Sequence, residues 1–355
     1  MPPAESGERS PMATTGRLPA TRRGGAMTAD GTIQRLDFLI ESEPGSQIWA
    51  RQVRGTGDLR PPVLLIHGGG PGGIVFDLPI PGYSLAEDLV AAGYTAYLMD
   101  VRGWGNSARP QALREPRERN PPAVTSEEAV RDIGAVVGLI SSIHSGERVG
   151  LIGWATGGHW AGMYTARHNE TVQCLVILNS LYGVRAPWPL RAAFERPDRP
   201  GVFDYRDGAY RLVDRRGLLA SWDRAIPAED KSEWRDPAVA EAYVQESLAS
   251  DPTSGSRTPP SMRIPRAFQL ESYNLSFGHK YWEAAAIRVP TLVIRGDRDH
   301  WSRPEDLEAL RAELVNAPRV RAVTIEGGTH YLFLDRPERG RARFLDEVLA
   351  LLAES

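Results

Sequence analysis

The most constraining feature of this chain is a short apolar run that ends in a glycine turn and passes at once into a helical pattern. Val149-Gly150-Leu151-Ile152-Gly153-Trp154 reads as a buried strand, and Ala155-Thr156-Gly157-Gly158 as a turn into a helix that reaches His168. Gly153 and Gly157 flank Ala155 two residues away on either side, so the bend needs small neighbours around a strained central residue. Three further apolar runs also end in glycine-bearing loops. Pro61–Ile66 leads into His67-Gly68-Gly69-Gly70-Pro71-Gly72-Gly73, Val289–Ile294 into Arg295-Gly296-Asp297-Arg298-Asp299-His300, and Arg321–Ile325 into Glu326-Gly327-Gly328-Thr329-His330. Strands that alternate with helical stretches imply a mainly parallel sheet, because parallel neighbours require crossover connections.

In kind and order these four segments resemble the α/β-hydrolase superfamily, and the resemblance runs from about residue 33 to the end. It implies an α/β-hydrolase fold: a mainly parallel eight-stranded sheet with helices on both faces and a helical cap insertion. Ala155 then stands where the family carries its nucleophilic serine in G-x-S-x-G. The His67 loop resembles the oxyanion loop, which makes the backbone N–H groups of Gly69 and Thr156 the expected oxyanion donors. The acid usually lies three residues after the glycine, which selects Asp299 with Asp297 as the alternative, and His330 falls at the general base. Gly70, Trp154, Trp188 and Trp282 are the expected substrate-binding residues.

Within the superfamily the signals diverge. The His67 loop resembles meta-cleavage-product C–C hydrolases. Asp100-Val101-Arg102-Gly103-Trp104-Gly105-Asn106-Ser107 is closer to proline iminopeptidases and epoxide hydrolases. With serine at 155 the elbow would resemble esterases and cofactor-free haloperoxidases. The reading favoured here is hydrolysis of a carboxylic ester or lactone through an acyl-enzyme. A C–C hydrolase, a peptidase using Glu246 or Glu271 to hold a free amine, and a catalytically dead ligand-binding homologue are the alternatives.

Alanine has no oxygen with which to attack, so the chain as written cannot run serine chemistry. Three origins fit: a Ser→Ala change made to hold unreacted substrate, a natural loss of catalysis, or a reaction in which His330 acts as base on water or an acidic C–H. Retention of the acid, base and oxyanion loop favours the first.

Other elements are coarser. Ile33–Ile40 and Gln47–Arg54 read as an opening hairpin, Leu85–Ala92 as a helix and Tyr94–Met99 as a strand. Thr125-Ser126-Glu127-Glu128 begins a helix running to His144, and a closing helix spans Glu338–Ala353. Three regions follow: a disordered tail at 1–30, a core at 31–179 and 287–355, and the cap at 180–286. Asp251–Pro260 reads as a mobile loop.

At 355 residues with a formal net charge of −3, the chain has length for a sizeable core and no basic surplus that would imply nucleic acid. Of its 42 basic residues only Lys231 and Lys280 are lysines, which reads as a high-GC bacterial coding bias. The single cysteine, Cys174, sits in an apolar run, as expected of a core residue, and leaves no intrachain disulfide to form. No metal motif and no cofactor is implied, and His159 and His168 read as packing or surface residues. Arg22-Arg23 has no apolar segment behind it, so export is not expected. The expected partner is a small molecule, with no membrane, a cytoplasmic location, and a homodimer as one open oligomeric state.

Overall fold

The computed structural model describes residues 20–27, 33–57 and 60–355. Its centre is a sheet of nine strands in the order β1-β2-β3-β5-β4-β6-β7-β12-β13. The first three are β1 (Ala20–Met27), β2 (Gln34–Glu43) and β3 (Ser46–Arg54). β4 (Arg60–Ile66), α1 (Leu85–Ala91), β5 (Tyr94–Met99) and α2 (Ser126–Ile143) come next. They are followed by β6 (Val149–Trp154), α3 (Thr156–Arg167) and β7 (Val172–Leu178). β2 and β3 form the expected antiparallel hairpin, and β3 pairs antiparallel with β5. From β5 onward every neighbour is parallel, with Ile66 opposite Gly153 and Trp154 opposite Leu178.

The strands form where the pattern predicts because their side chains are buried on both faces. All six residues of β5 and of β6 are buried, as helices cover both sides of a parallel sheet. Cys174 is buried in β7, as its apolar surroundings require. α2 starts with a capping box: the Thr125 side chain accepts from the Glu128 N–H while the Glu128 carboxylate accepts from the Thr125 N–H.

At the amino terminus the structure adds a strand. Within the tail expected to be disordered, β1 pairs antiparallel with β2, from Ala20 opposite Ile40 to Met27 opposite Gln34. An added edge strand needs only the free N–H and C=O groups of its neighbour, so it leaves no apolar period in the sequence. Thus the sheet has one strand more than the eight expected; the rest of that tail lies outside the described residues.

Between β7 and β12 the chain leaves the sheet. This segment holds β8 (Glu195–Arg196), β9 (Arg199–Phe203), β10 (Tyr210–Asp214), α4 (Arg215–Asp223), α5 (Pro237–Ser250), β11 (Ser261–Pro265) and α6 (Ala267–Ser276). It is therefore not purely helical: β8 pairs with β9 and β10 with β11, both antiparallel. The loop expected to be mobile is tied down. Buried Asp251 accepts from the Thr253 N–H and Oγ1, from Arg257 Nη2 and from the Arg263 N–H. The sheet then finishes with β12 (Thr291–Gly296), α7 (Pro304–Glu313) and β13 (Val320–Ile325), and α8 (Arg341–Glu354) closes the chain.

The topology places a crevice. From β4 the chain moves outward to β5 and then returns to β6 on the other side of β4. At such a switch point the connections leave in opposite directions and open a gap at the carboxyl ends of the strands.

Candidate active site

The turn after β6 has the strain its glycines anticipate. Ala155 adopts φ 54° and ψ −119°, outside the regions that L-residues favour. It is held by its N–H donating to the Leu178 carbonyl at 2.8 Å and by its own carbonyl accepting from the Gly158 N–H at 3.0 Å. A β-carbon on Gly153 would lie 2.3 Å from the Gly157 carbonyl oxygen, so strand and helix can cross this closely only with glycine there.

The His67 loop leans against this bend. His67 is buried; its Nδ1 lies 2.7 Å from the Gly68 carbonyl and its Nε2 accepts from the Val101 N–H at 3.0 Å. Burial lowers its pKa, and the two bonds require a neutral ring with the proton on Nδ1. The Asp100 carboxylate accepts from the N–H groups of Gly73 and Asn106, and Trp104 Nε1 donates to the Gly70 carbonyl at 2.8 Å. Asp100 and Trp104 thus brace the glycine loop from β5. The N–H groups of Gly69 and Thr156 donate to no other protein group among the described residues. These two free donors stand at the end of a helix whose positive pole faces the bend.

The two aspartates differ in burial. Asp297 is exposed, whereas Asp299 is buried with Oδ1 2.7 Å from His330 Nδ1. Asp299 also accepts from the Trp301 N–H, the Ser302 N–H and the Ser302 hydroxyl. Burial alone would raise its pKa, but the facing imidazole and these donors hold it below the usual value. A carboxylate so bound fixes the ring and keeps Nε2 as the free basic nitrogen.

Two braces around His330 left no signal that the sequence reading used. Asn179 ends β7 at φ 50°; its Nδ2 donates to the carbonyls of Thr329 and His330, and its Oδ1 accepts from the Gly296 N–H at 2.8 Å. It joins three strand ends, and a polar residue closing an apolar strand was the available hint. Asp335 is fully buried and accepts from Thr329 N–H, Thr329 Oγ1 and Trp222 Nε1, all within 2.9 Å. It therefore ties the His330 loop to α4.

Ala155, Thr156, Gly69, Gly70, Trp154 and His330 line one cavity of about 440 Å³, roofed by the segment between β7 and β12. Phe268 of α6 covers Gly69 closely: a β-carbon on that glycine would fall 2.3 Å from the ring. Trp154 reaches across to His330, its Nε1 donating to the His330 carbonyl at 2.8 Å. Trp188 and Trp282, expected in the pocket, do not line it. Trp188 packs behind Trp301 and Phe194 and donates to the Trp301 carbonyl. Trp282 packs on Gly162 of α3 and donates to His159 Nδ1 at 3.1 Å, so both it and His159 are core residues. Large aromatics between helices fill the nearest void, and the sequence does not say which void that is. Glu246 faces a different cavity and Glu271 is engaged by the Ser126 N–H and hydroxyl, so neither lines this one. The described residues contain no cluster of three or more metal-ligating side chains, and no helix among them is long and apolar enough to cross a membrane.

A strained bend thus stands behind a free pair of amides, and His330, backed by Asp299, lines the same cavity. The family model described as alpha/beta hydrolase fold matches residues 61–337, and the chain belongs to that family. It is 28% identical to the (Lyso)-N-acylphosphatidylethanolamine lipase of Homo sapiens over 148 residues, covering 41% of this chain and 36% of the lipase. This chain thus matches little more than a third of that relative's length. Epoxide hydrolase 3 of Xenopus tropicalis is 25% identical over 303 residues, covering 80% of this chain and 70% of that protein. Among solved structures, E-2-(Acetamidomethylene)succinate Hydrolase superposes with a TM-score of 0.58 at 16% identity, covering 90% of this chain and 99% of that one. At that identity the likeness concerns the fold.

Proposed function

We propose that this site is built for acyl transfer from a carboxylic ester or lactone to an oxygen at position 155, and that alanine there lets the chain hold its substrate without turning it over. The observation that carries this reading is His330, held by Asp299 at 2.7 Å, on the same cavity as the two unbonded amides of Gly69 and Thr156. With a serine at 155, its oxygen would add to the carbonyl as His330 Nε2 takes the proton. The amides would hold the oxyanion, and its collapse would expel the alcohol with the proton returned from His330. Water deprotonated by His330 would then release the acid. Asp299 keeps the imidazole oriented and stabilises its charge throughout.

With Ala155 the first bond cannot form. In a serine protease, loss of that oxygen alone costs about 10⁶ in turnover. The peptidase alternative loses its amine holders, since Glu246 and Glu271 lie elsewhere.

The test is Ala155→Ser assayed on short and aromatic p-nitrophenyl esters beside the unmodified chain. A gain of at least about 10³-fold, abolished by adding His330→Ala, is the expected result. Because one relative is an epoxide hydrolase, Ala155→Asp on an aryl epoxide is the second arm. Activity there but not with serine would replace the acyl-transfer reading. Ligand binding with no turnover in either form would make the chain a binding protein.

A further inference from the structure

The cavity carries a charge that the acyl-transfer chemistry does not use. Arg211 of β10 lines it, and its Nε is completely buried with no hydrogen-bond partner. No carboxylate among the described residues lies within ion-pair distance of its guanidinium. Four of the five most buried arginines have one: Arg102 pairs with Asp132, Arg303 with Asp306, Arg341 with Asp88 and Arg266 with Asp207, while the fifth, Arg295, donates to the Ser302 and Asp299 carbonyls; Arg211 has neither kind of partner. The surroundings of Arg211 are instead aromatic. Its guanidinium lies 5.7 Å from the centroid of Phe268, and Tyr243 and Tyr331 line the same cavity. Burial lowers its pKa to about 10, which still leaves it a cation at neutral pH.

A desolvated guanidinium without a counterion is costly and persists where something outside the protein pairs with it. Arg224 and Arg266 line the same cavity, against a single carboxylate, Asp207, that Arg266 already engages at 3.4 Å. The Phe268 ring packs on Gly69 and lies 5.7 Å from the Arg211 guanidinium, so Arg211 and the oxyanion loop share that ring.

We propose that the ligand of this site carries a carboxylate, bound by the planar fork of Arg211, in addition to its ester or lactone carbonyl. The carboxylate half of this proposal stands on Arg211 alone; the carbonyl half rests on the acyl-transfer reading. A guanidinium suits a carboxylate because its donors match both oxygens at once.

The chain as it stands, with Ala155, is titrated with the monomethyl and the dimethyl esters of succinic, glutaric and adipic acids. Tryptophan fluorescence follows binding, since Trp154 and Trp301 line the cavity. At least one monoester is expected to bind roughly 10- to 100-fold tighter than its diester. Arg211→Met should remove that preference, and Arg211→Lys, a cation without the fork, should keep part of it. Circular dichroism and melting of each variant separate binding from folding: without ligand, Arg211→Met should melt no lower than the parent, because it removes an unpaired buried charge. Equal binding of mono- and diesters, or a preference that survives Arg211→Met, overturns the proposal. The two readings fail separately. If Ala155→Ser cleaves neutral esters and no monoester is preferred, only the carboxylate falls. If an Arg211-dependent preference exists without turnover, only acyl transfer falls.

Discussion

Gly157→Ala tests whether the elbow is held by backbone contact alone. The new β-carbon would sit 2.3 Å from the Ile66 carbonyl oxygen and 2.4 Å from that of His67, both main-chain atoms that cannot swing aside. Relieving those contacts means moving the start of α3 away from the end of β4 by something like an ångström. Overpacking of this kind costs about 3 kcal/mol, against a gain of about 1 kcal/mol from placing alanine instead of glycine in a helix. The net loss of about 2 kcal/mol should lower the melting temperature by about 3 °C, read by circular dichroism or calorimetry. The same movement displaces the Thr156 N–H, so in the Ala155→Ser background turnover should fall about 100-fold. Gly70→Ala is the control, because nothing lies within 4 Å of its β-carbon position and its melting temperature should not change. If Gly157→Ala melts with the parent and keeps its turnover, the crossing is not as tight as described and the argument for the fixed oxyanion donor fails.

Two further outcomes follow from buried carboxylates. Burial raises Glu271 from 4.5 to about 7. The folded state therefore keeps a proton that the unfolded chain releases. Stability should fall as pH rises through that window, by up to about 3 kcal/mol, and level off above it. Denaturation midpoints at pH 5 and pH 8 should differ less in Glu271→Gln than in the parent; equal slopes would contradict the assignment. Asp335→Ala orphans three buried donors, on Thr329 and Trp222, and should cost about 3 kcal/mol in urea titration, with a loss under about 1 kcal/mol arguing against the brace.

Sequence and structure divide according to the range of the forces involved. The strands of the parallel sheet, the hairpin before them, the α2 capping box and the bend at Ala155 follow from local pattern: continuous apolar runs, capping residues and glycines at fixed spacing. The candidates Gly69, Thr156, Asp299 and His330 came from the superfamily resemblance of the loops that follow these strands. Burial of Asp299 and exposure of Asp297 separated two aspartates that lie two positions apart in the same turn. Asn179 and Asp335 became visible as braces only where strand ends distant in sequence converge. Trp188 and Trp282 went to other voids, and β1 added itself through main-chain bonds that carry no side-chain signature. The residue that most restricts the ligand, Arg211, looks ordinary in sequence among many arginines. Its meaning comes from desolvation without a partner, and desolvation belongs to the assembled cavity, not to any stretch of chain.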